Sequence, residues 1–151
     1  MRFCYPKGIC FACSKCAICC GDNGNKERHI LLLKSDVNRI SAFAGKGIET
    51  FALPLSNDGP YKFEMLKNHP RGSCVFLAGN HCSIYNLRPL ICRFYPFELI
   101  QEQGSYNFRA TDECPAVCKA DETREGTIKP LDKFYFKSLL NLACTEFNRV
   151  S

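Results

Sequence analysis

Cysteine is the residue type here whose number and spacing point to chemistry. The chain has 12 cysteines in 151 residues, and six stand within the first twenty positions, at Cys4, Cys10, Cys13, Cys16, Cys19 and Cys20. Two residues between thiols let a tight turn aim both sulfurs at one ion. That spacing recurs three times in the run C-F-A-C-S-K-C-A-I-C-C from Cys10 to Cys20. Cys10, Cys13, Cys16 and Cys20 also fit C-x2-C-x2-C-x3-C, the bacterial ferredoxin pattern, with Gly21 where that pattern has proline. Zinc accepts the same spacings. Cys74, Cys82, Cys92 and Cys114 follow far downstream, each at a loop or hairpin end, where metal ligands are commonly placed. The alternative for these four is a buried thiol that packs as a small hydrophobe.

Neighbouring polar groups extend the candidate site. Arg88 and Arg93 flank Cys92. A guanidinium can donate N–H groups to thiolate sulfur and offset the negative charge of a four-thiolate centre. Tyr85 has a hydroxyl that can do the same, or a ring that packs. His29, His69 and His81 are scattered; His81, beside Cys82, could replace a thiolate but reads rather as an exposed turn residue. No Ser/His/Asp grouping, phosphate-cradling glycine motif or carboxylate pair at a catalytic spacing occurs.

The elements that must carry these residues are short. The first twenty residues read as a thiol-rich loop. Ile30–Leu33 reads as a buried strand, followed by a helix with Ser35 as N-cap, Asp36 in its first turn, Val37, Ile40 and Ala44 on one face, and Gly45 as its stop. Glycines and prolines break residues 46–73 into loop with short strand pieces. Residues 74–77 and 82–85 read as a hairpin around residues 78–81. Pro89 opens a short helix that carries Cys92, and Pro96 ends it. Residues 97–101 and 106–110 form a second hairpin. The clearest helix runs from about residue 131 to 148, with Phe134, Leu139, Leu142, Ala143 and Phe147 as its apolar face and Lys133, Lys137, Asn141 and Glu146 among its polar positions. The expected architecture is α+β: one small domain over residues 1–151, irregular cysteine-rich loops and short hairpins around one or two metal sites, and a C-terminal helix.

Composition narrows the class. A hydrophobic fraction of 46% suits a globular chain. No run approaches the length of a membrane span. The N-terminal residues carry no apolar leader pattern, so the expected location is the cytoplasm, where thiols stay reduced and cysteine clusters bind metal. The formal charge of +5 counts every thiol as neutral. Two four-thiolate sites would bring it to about +1, so the charge does not call for a nucleic-acid partner.

The run F-x-C-x2-C-x2-C-C from Phe11 to Cys20, then Gly72, Cys74, Phe76 and Leu77, then C-x-I-Y-x2-R-P-x2-C-R-x-Y-P-F from Cys82 to Phe97, then Cys114-Pro115, resembles the CxxCxxCC (YkgJ-like) family. That family is described as zinc- or iron-chelating and is often labelled iron–sulfur. The strand and helix around Asp36 also look like the family's segment after the double cysteine. The resemblance covers roughly residues 11–116. It implies Cys13, Cys16, Cys19, Cys20, Cys74, Cys82, Cys92 and Cys114 as metal ligands, while Cys4, Cys10, Cys118 and Cys144 lie outside the family pattern. Cys10 and Cys118 stay open between ligation and another role, and Cys144 reads as packed within the last helix. A related domain occurs in a lysine-methylating enzyme, which implies service to a partner enzyme.

Three functions follow as expectations. The first is a [4Fe–4S] protein, with one or two sites, acting in electron transfer or as an accessory or maturation subunit of a partner enzyme system. The second is a structural Zn2+ module mediating protein assembly. The third is a metal-dependent modification enzyme, which needs an open coordination position.

Overall fold

A computed structural model describes residues 2–11, 20–22, 27–56, 58–68, 72–111, 114, 117–119 and 130–148. Cys13, Cys16 and Cys19 lie outside the described residues. The architecture is α+β, as expected: among the described residues, twelve short strands, β1 to β12, are interleaved with three α-helices and two 3-10 turns. The chain groups into two compact units, residues 1–16 with 94–142 and residues 17–93 with 143–151.

In the first unit, β1 (Arg2–Cys4) pairs parallel with β11 (Ser105–Ala110), which pairs antiparallel with β10 (Phe97–Glu102). The β10–β11 hairpin turns on Gln103 and Gly104, both at positive φ, 45° and 77°. A two-residue turn of that hand matches the right-handed twist of the strands. A second ribbon pairs β2 (Ile9–Phe11) with β12 (Val117–Lys119). The first twenty residues are therefore not all loop. Their strands are only three residues long and find partners about a hundred residues away, so no local periodicity marks them.

The helix α3 spans Lys133–Asn148. Its Phe136 is fully buried and meets the rings of Tyr5, Phe97 and Phe108 at centroid distances of 5.1, 5.0 and 5.3 Å. The buried positions are Phe136, Leu139, Leu140, Ala143 and Glu146. Two assignments for this helix are corrected. Phe134 is 79% exposed, and Glu146, read as a polar surface position, is only 4% exposed. The apolar face passes through Phe136, so Phe134, two residues earlier, falls about 200° away around the helix.

In the second unit, β3 (Leu31–Leu33) and β4 (Ala52–Pro54) flank β5 (Tyr61–Met65) in an antiparallel sheet. The register shifts between Leu32 and Leu33, and both leucines are buried. A bulge lets consecutive residues turn inward where a regular pleat would expose one of them. The helix α1 (Lys34–Ala44) follows directly and closes on Gly45 at φ 64°, the left-handed cap that glycine adopts without strain. Its N-cap is Leu33, not Ser35. Asp36 makes the capping bond instead, accepting the Leu33 N–H at 3.0 Å.

The remaining pieces are hairpins and turns. β6 (Lys67–Asn68) pairs with β7 (Ser73–Cys74), and β8 (Leu77–Ala78) pairs with β9 (His81–Cys82). The hairpin expected over residues 74–85 is thus narrower. Cys74 belongs to a different pair, and a 3-10 turn takes Tyr85–Leu87. The short helix α2 (Leu90–Phe94) carries Cys92. The core of this unit is Ile30, Leu32, Val37, Ile40, Phe51, Ala52, Met65, Cys74 and Ile84.

Candidate metal centre

Four separate pieces of chain in the second unit each bring one cysteine to the same core. Cys74 is buried within it, and Cys20, Cys82 and Cys92 pack against it. Cys20 ends the clustered run, Cys74 ends β7, Cys82 ends β9 and Cys92 lies in α2. Cys114 is buried in the other unit, just before β12. Among the described residues, no three His, Cys, Asp or Glu side chains already surround one ion position. Three of the clustered cysteines stand outside those residues.

The contacts around Cys20 and Cys74 are specific. Gly21 bridges to Ser73, and the Asp22 N–H donates to the Gly72 carbonyl at 2.9 Å. A Cβ on Gly21 would lie 2.7 Å from the Gly72 oxygen and 2.7 Å from the Ser73 Cα. Only glycine permits that approach, which ties the residue after Cys20 to the residue before Cys74. Asp22 reinforces the tie. Its carboxylate accepts the Arg28 N–H at 2.7 Å and pairs with Lys67 Nζ at 2.8 Å, and Lys67 stands opposite Cys74 in the β6–β7 ladder. The Arg28 amide first, and then Lys67, hold the Asp22 carboxyl below the usual carboxylate range.

The sulfur of Cys74 has a donor. The Phe76 N–H lies 3.5 Å from Sγ. A backbone amide two residues beyond a cysteine, aimed at its sulfur, is the kind of donor that orients a ligating sulfur. Cys82 stands opposite Leu77 in the β8–β9 hairpin, and the Ser83 N–H donates to the Phe76 carbonyl at 2.9 Å. The chain between Cys74 and Cys82 is thereby folded back on itself.

Cys92 is positioned through a buried carboxylate. Asp36 is 0% exposed; its Oδ1 accepts the Leu90 N–H at 3.3 Å and pairs with Arg39 Nη2 at 2.8 Å. One carboxylate thus caps α1 locally and α2 across 54 residues of sequence. Glu146 completes the cluster: the Ser35 hydroxyl donates to it at 2.9 Å, and Arg39 Nη1 lies 3.8 Å away. Burial pushes the Asp36 carboxyl up, held back by the Leu33 amide, Arg39 and the Leu90 amide. The Tyr61 hydroxyl is pushed up to about 12 by burial, with the Asp36 charge adding. The position of Asp36 one turn into an amphipathic helix was visible in the sequence, but its reach to α2 was not. Nothing in the sequence marked Glu146 as buried.

The polar residues expected around Cys92 brace its turn. The Arg88 guanidinium lies 3.9 Å from the centroid of the Tyr85 ring, and its Nε donates to the Tyr85 carbonyl at 3.0 Å. Arg93 Nε donates to the Arg88 carbonyl at 2.8 Å. Burial lowers the Arg93 pKa, with the Arg39 charge adding, while Asp36 and Glu146 oppose the shift. Tyr85 itself is 46% exposed.

Cysteines carried by four separate pieces of chain to one core, one of them with a backbone amide on its sulfur, are the ligand type of a soft metal, zinc or iron. The sequence comparison agrees. The chain belongs to the CxxCxxCC family, described as a "Putative zinc- or iron-chelating domain", whose profile matches residues 12–132. It is also similar to "Uncharacterized protein MJ0661" of Methanocaldococcus jannaschii, 27% identical over 115 residues, which make up 66% of this chain and 52% of that protein. The chain thus spans about half the length of that curated relative. No solved structure matches it. No helix among the described residues is long and apolar enough to cross a membrane.

Proposed function

We propose that this chain holds an iron–sulfur cluster of the [4Fe–4S] type and serves a partner enzyme system in the cytoplasm, as an electron carrier or as an accessory or maturation subunit. The observation that carries this reading is the arrival of Cys20, Cys74, Cys82 and Cys92, from four separate elements, at one apolar core. With Cys13, Cys16, Cys19 and Cys114 they make eight candidate ligands, enough for one or two four-thiolate sites. The cluster would supply one-electron chemistry. The chain's own part is to hold the sulfurs as thiolates, exclude water and set the potential. Support for the last comes from the Phe76 amide on Cys74 and from the positive charge of Arg93 beside Cys92, since donors and positive charge near sulfur raise a cluster's reduction potential.

Iron, zinc and acid-labile sulfide, measured on protein purified without oxygen together with its visible spectrum, test the reading. Brown protein with about four iron and four sulfide per chain, bleached by dithionite, is the expected result. Colourless protein with zinc and no sulfide would overturn it and leave a zinc-stapled assembly module.

A further inference from the structure

The β2–β12 ribbon contains two cysteines that the ligand set does not use. Cys10 stands directly opposite Cys118 in its antiparallel register, between the pairs Phe11–Val117 and Ile9–Lys119. Cys10 is 0% exposed and is held in a disulfide. Residues directly opposite in an antiparallel ladder have Cα atoms about 4.5 or 5.5 Å apart. Both spacings fall inside the window of roughly 4.4–6.8 Å that a disulfide bridges without moving the backbone.

We propose that Cys10 and Cys118 are a dithiol/disulfide pair, separate from the metal ligands, that small disulfides of the glutathione class oxidise. The thiolate of one cysteine attacks a sulfur of the small disulfide, forming a mixed disulfide and releasing one small thiolate. The second cysteine, losing its proton, then attacks the protein-bound sulfur. The cross-strand S–S bond forms, and the second small thiolate leaves. Two electrons pass to the small disulfide, and the two cysteine protons go to the departing thiols.

The pair's position gives the bond a consequence. Residues 10 and 118 bracket every cysteine of the family pattern, from Cys13 to Cys114. The Leu131 N–H donates to the Ile9 carbonyl at 2.8 Å, so the chain leading into α3 is fastened beside the same strand. Oxidation therefore pins both ends of the ligand-bearing segment. Because Cys10 is sealed, exchange requires the ribbon to open. A two-stranded ribbon with three residue pairs is an element that opens locally.

The experiment is non-reducing peptide mapping of the full chain after incubation with oxidised glutathione, alongside the same protein reduced. The expected product is a cross-linked peptide joining Cys10 to Cys118 that disappears on reduction. In the reduced protein, Cys10 should alkylate more slowly than the exposed Cys4. Oxidation should raise Tm by on the order of 10 °C. The double variant C10S/C118S should lose that response and keep the wild-type metal content per chain. Cys10 joined to a different cysteine, or no cross-link at all, overturns the proposal on the wild-type chain alone. A fall in metal content in a folded double variant overturns it by making the pair ligands.

Discussion

At the scale of single residues, the sharpest constraint is Gly21. Its neighbours on the Cβ side are backbone atoms of Gly72 and Ser73, which cannot swing away as a side-chain tip would. Gly21→Ala should therefore cost about 1–3 kcal/mol and loosen the tie between Cys20 and Cys74. Denaturant unfolding and metal content, measured together, check both effects; a variant as stable as wild type would mean the bridge to Ser73 does not hold that tie. Cys74 is the complementary case. Cys74→Ser keeps the volume nearly constant and removes the soft ligand that the Phe76 amide addresses. Most of the bound metal should be lost, as read by elemental analysis. A Cys74→Ser chain with unchanged metal would take Cys74 out of the ligand set.

At the scale of elements, Asp36 joins α1 to α2. Asp36→Ala would leave the amides of Leu33 and Leu90 and the guanidinium of Arg39 without their shared acceptor. A loss of about 3–5 kcal/mol follows from breaking a buried pair on one side. The pH dependence has a definite sign. Because burial raises the folded pKa above the ordinary 3.8, the folded state holds more protons than the unfolded state as pH climbs from there. This group's contribution to stability therefore falls as pH rises through that window. Urea titrations of wild type and Asp36→Asn at several pH values should show the stability difference shifting against wild type as pH rises, and a difference independent of pH would refute it. Helix α3 offers a contrast of faces. Phe136→Ala should cost about 3–5 kcal/mol, whereas Phe134→Ser, at an exposed position, should stay within about 0.5 kcal/mol. Thermal melts of the two variants decide whether the apolar face runs through Phe136.

At the scale of the whole molecule, each unit has a modest core of its own, one aromatic around Phe136 and one aliphatic around Leu32 and Ile40. Domains of this size are stable by roughly 5–15 kcal/mol. Thiolate zinc sites in small peptides contribute an apparent ~10–16 kcal/mol. The metal term is thus as large as the whole folding free energy, and stripping it should unfold the chain. Circular dichroism during titration with a strong chelator should show loss of helix in step with loss of metal. A chain that keeps its signal after full demetallation would make the site an addition to an independently stable fold.

Much of this was legible in the primary structure. The thiol spacing at Cys10–Cys20, the Ile-Tyr-x2-Arg-Pro segment and the order of the later cysteines carry the family and the metal class, because ligand spacing is a local property of chain geometry. The strand at Leu31–Leu33, the β10–β11 hairpin and helices α1 and α3 were likewise readable, since each rests on its own periodicity and turn residues. What depended on tertiary structure is the long-range pairing. Strands β1 and β2 are too short to show a period and exist only through β11 and β12. The face of α3 runs through Phe136 and not Phe134 because the rings of Tyr5, Phe97 and Phe108 gather around Phe136. Asp36 reached past its own helix to cap α2, and Gly21 met Ser73, because a buried amide or a close backbone approach takes its partner from whatever the fold brings near, at any distance along the chain.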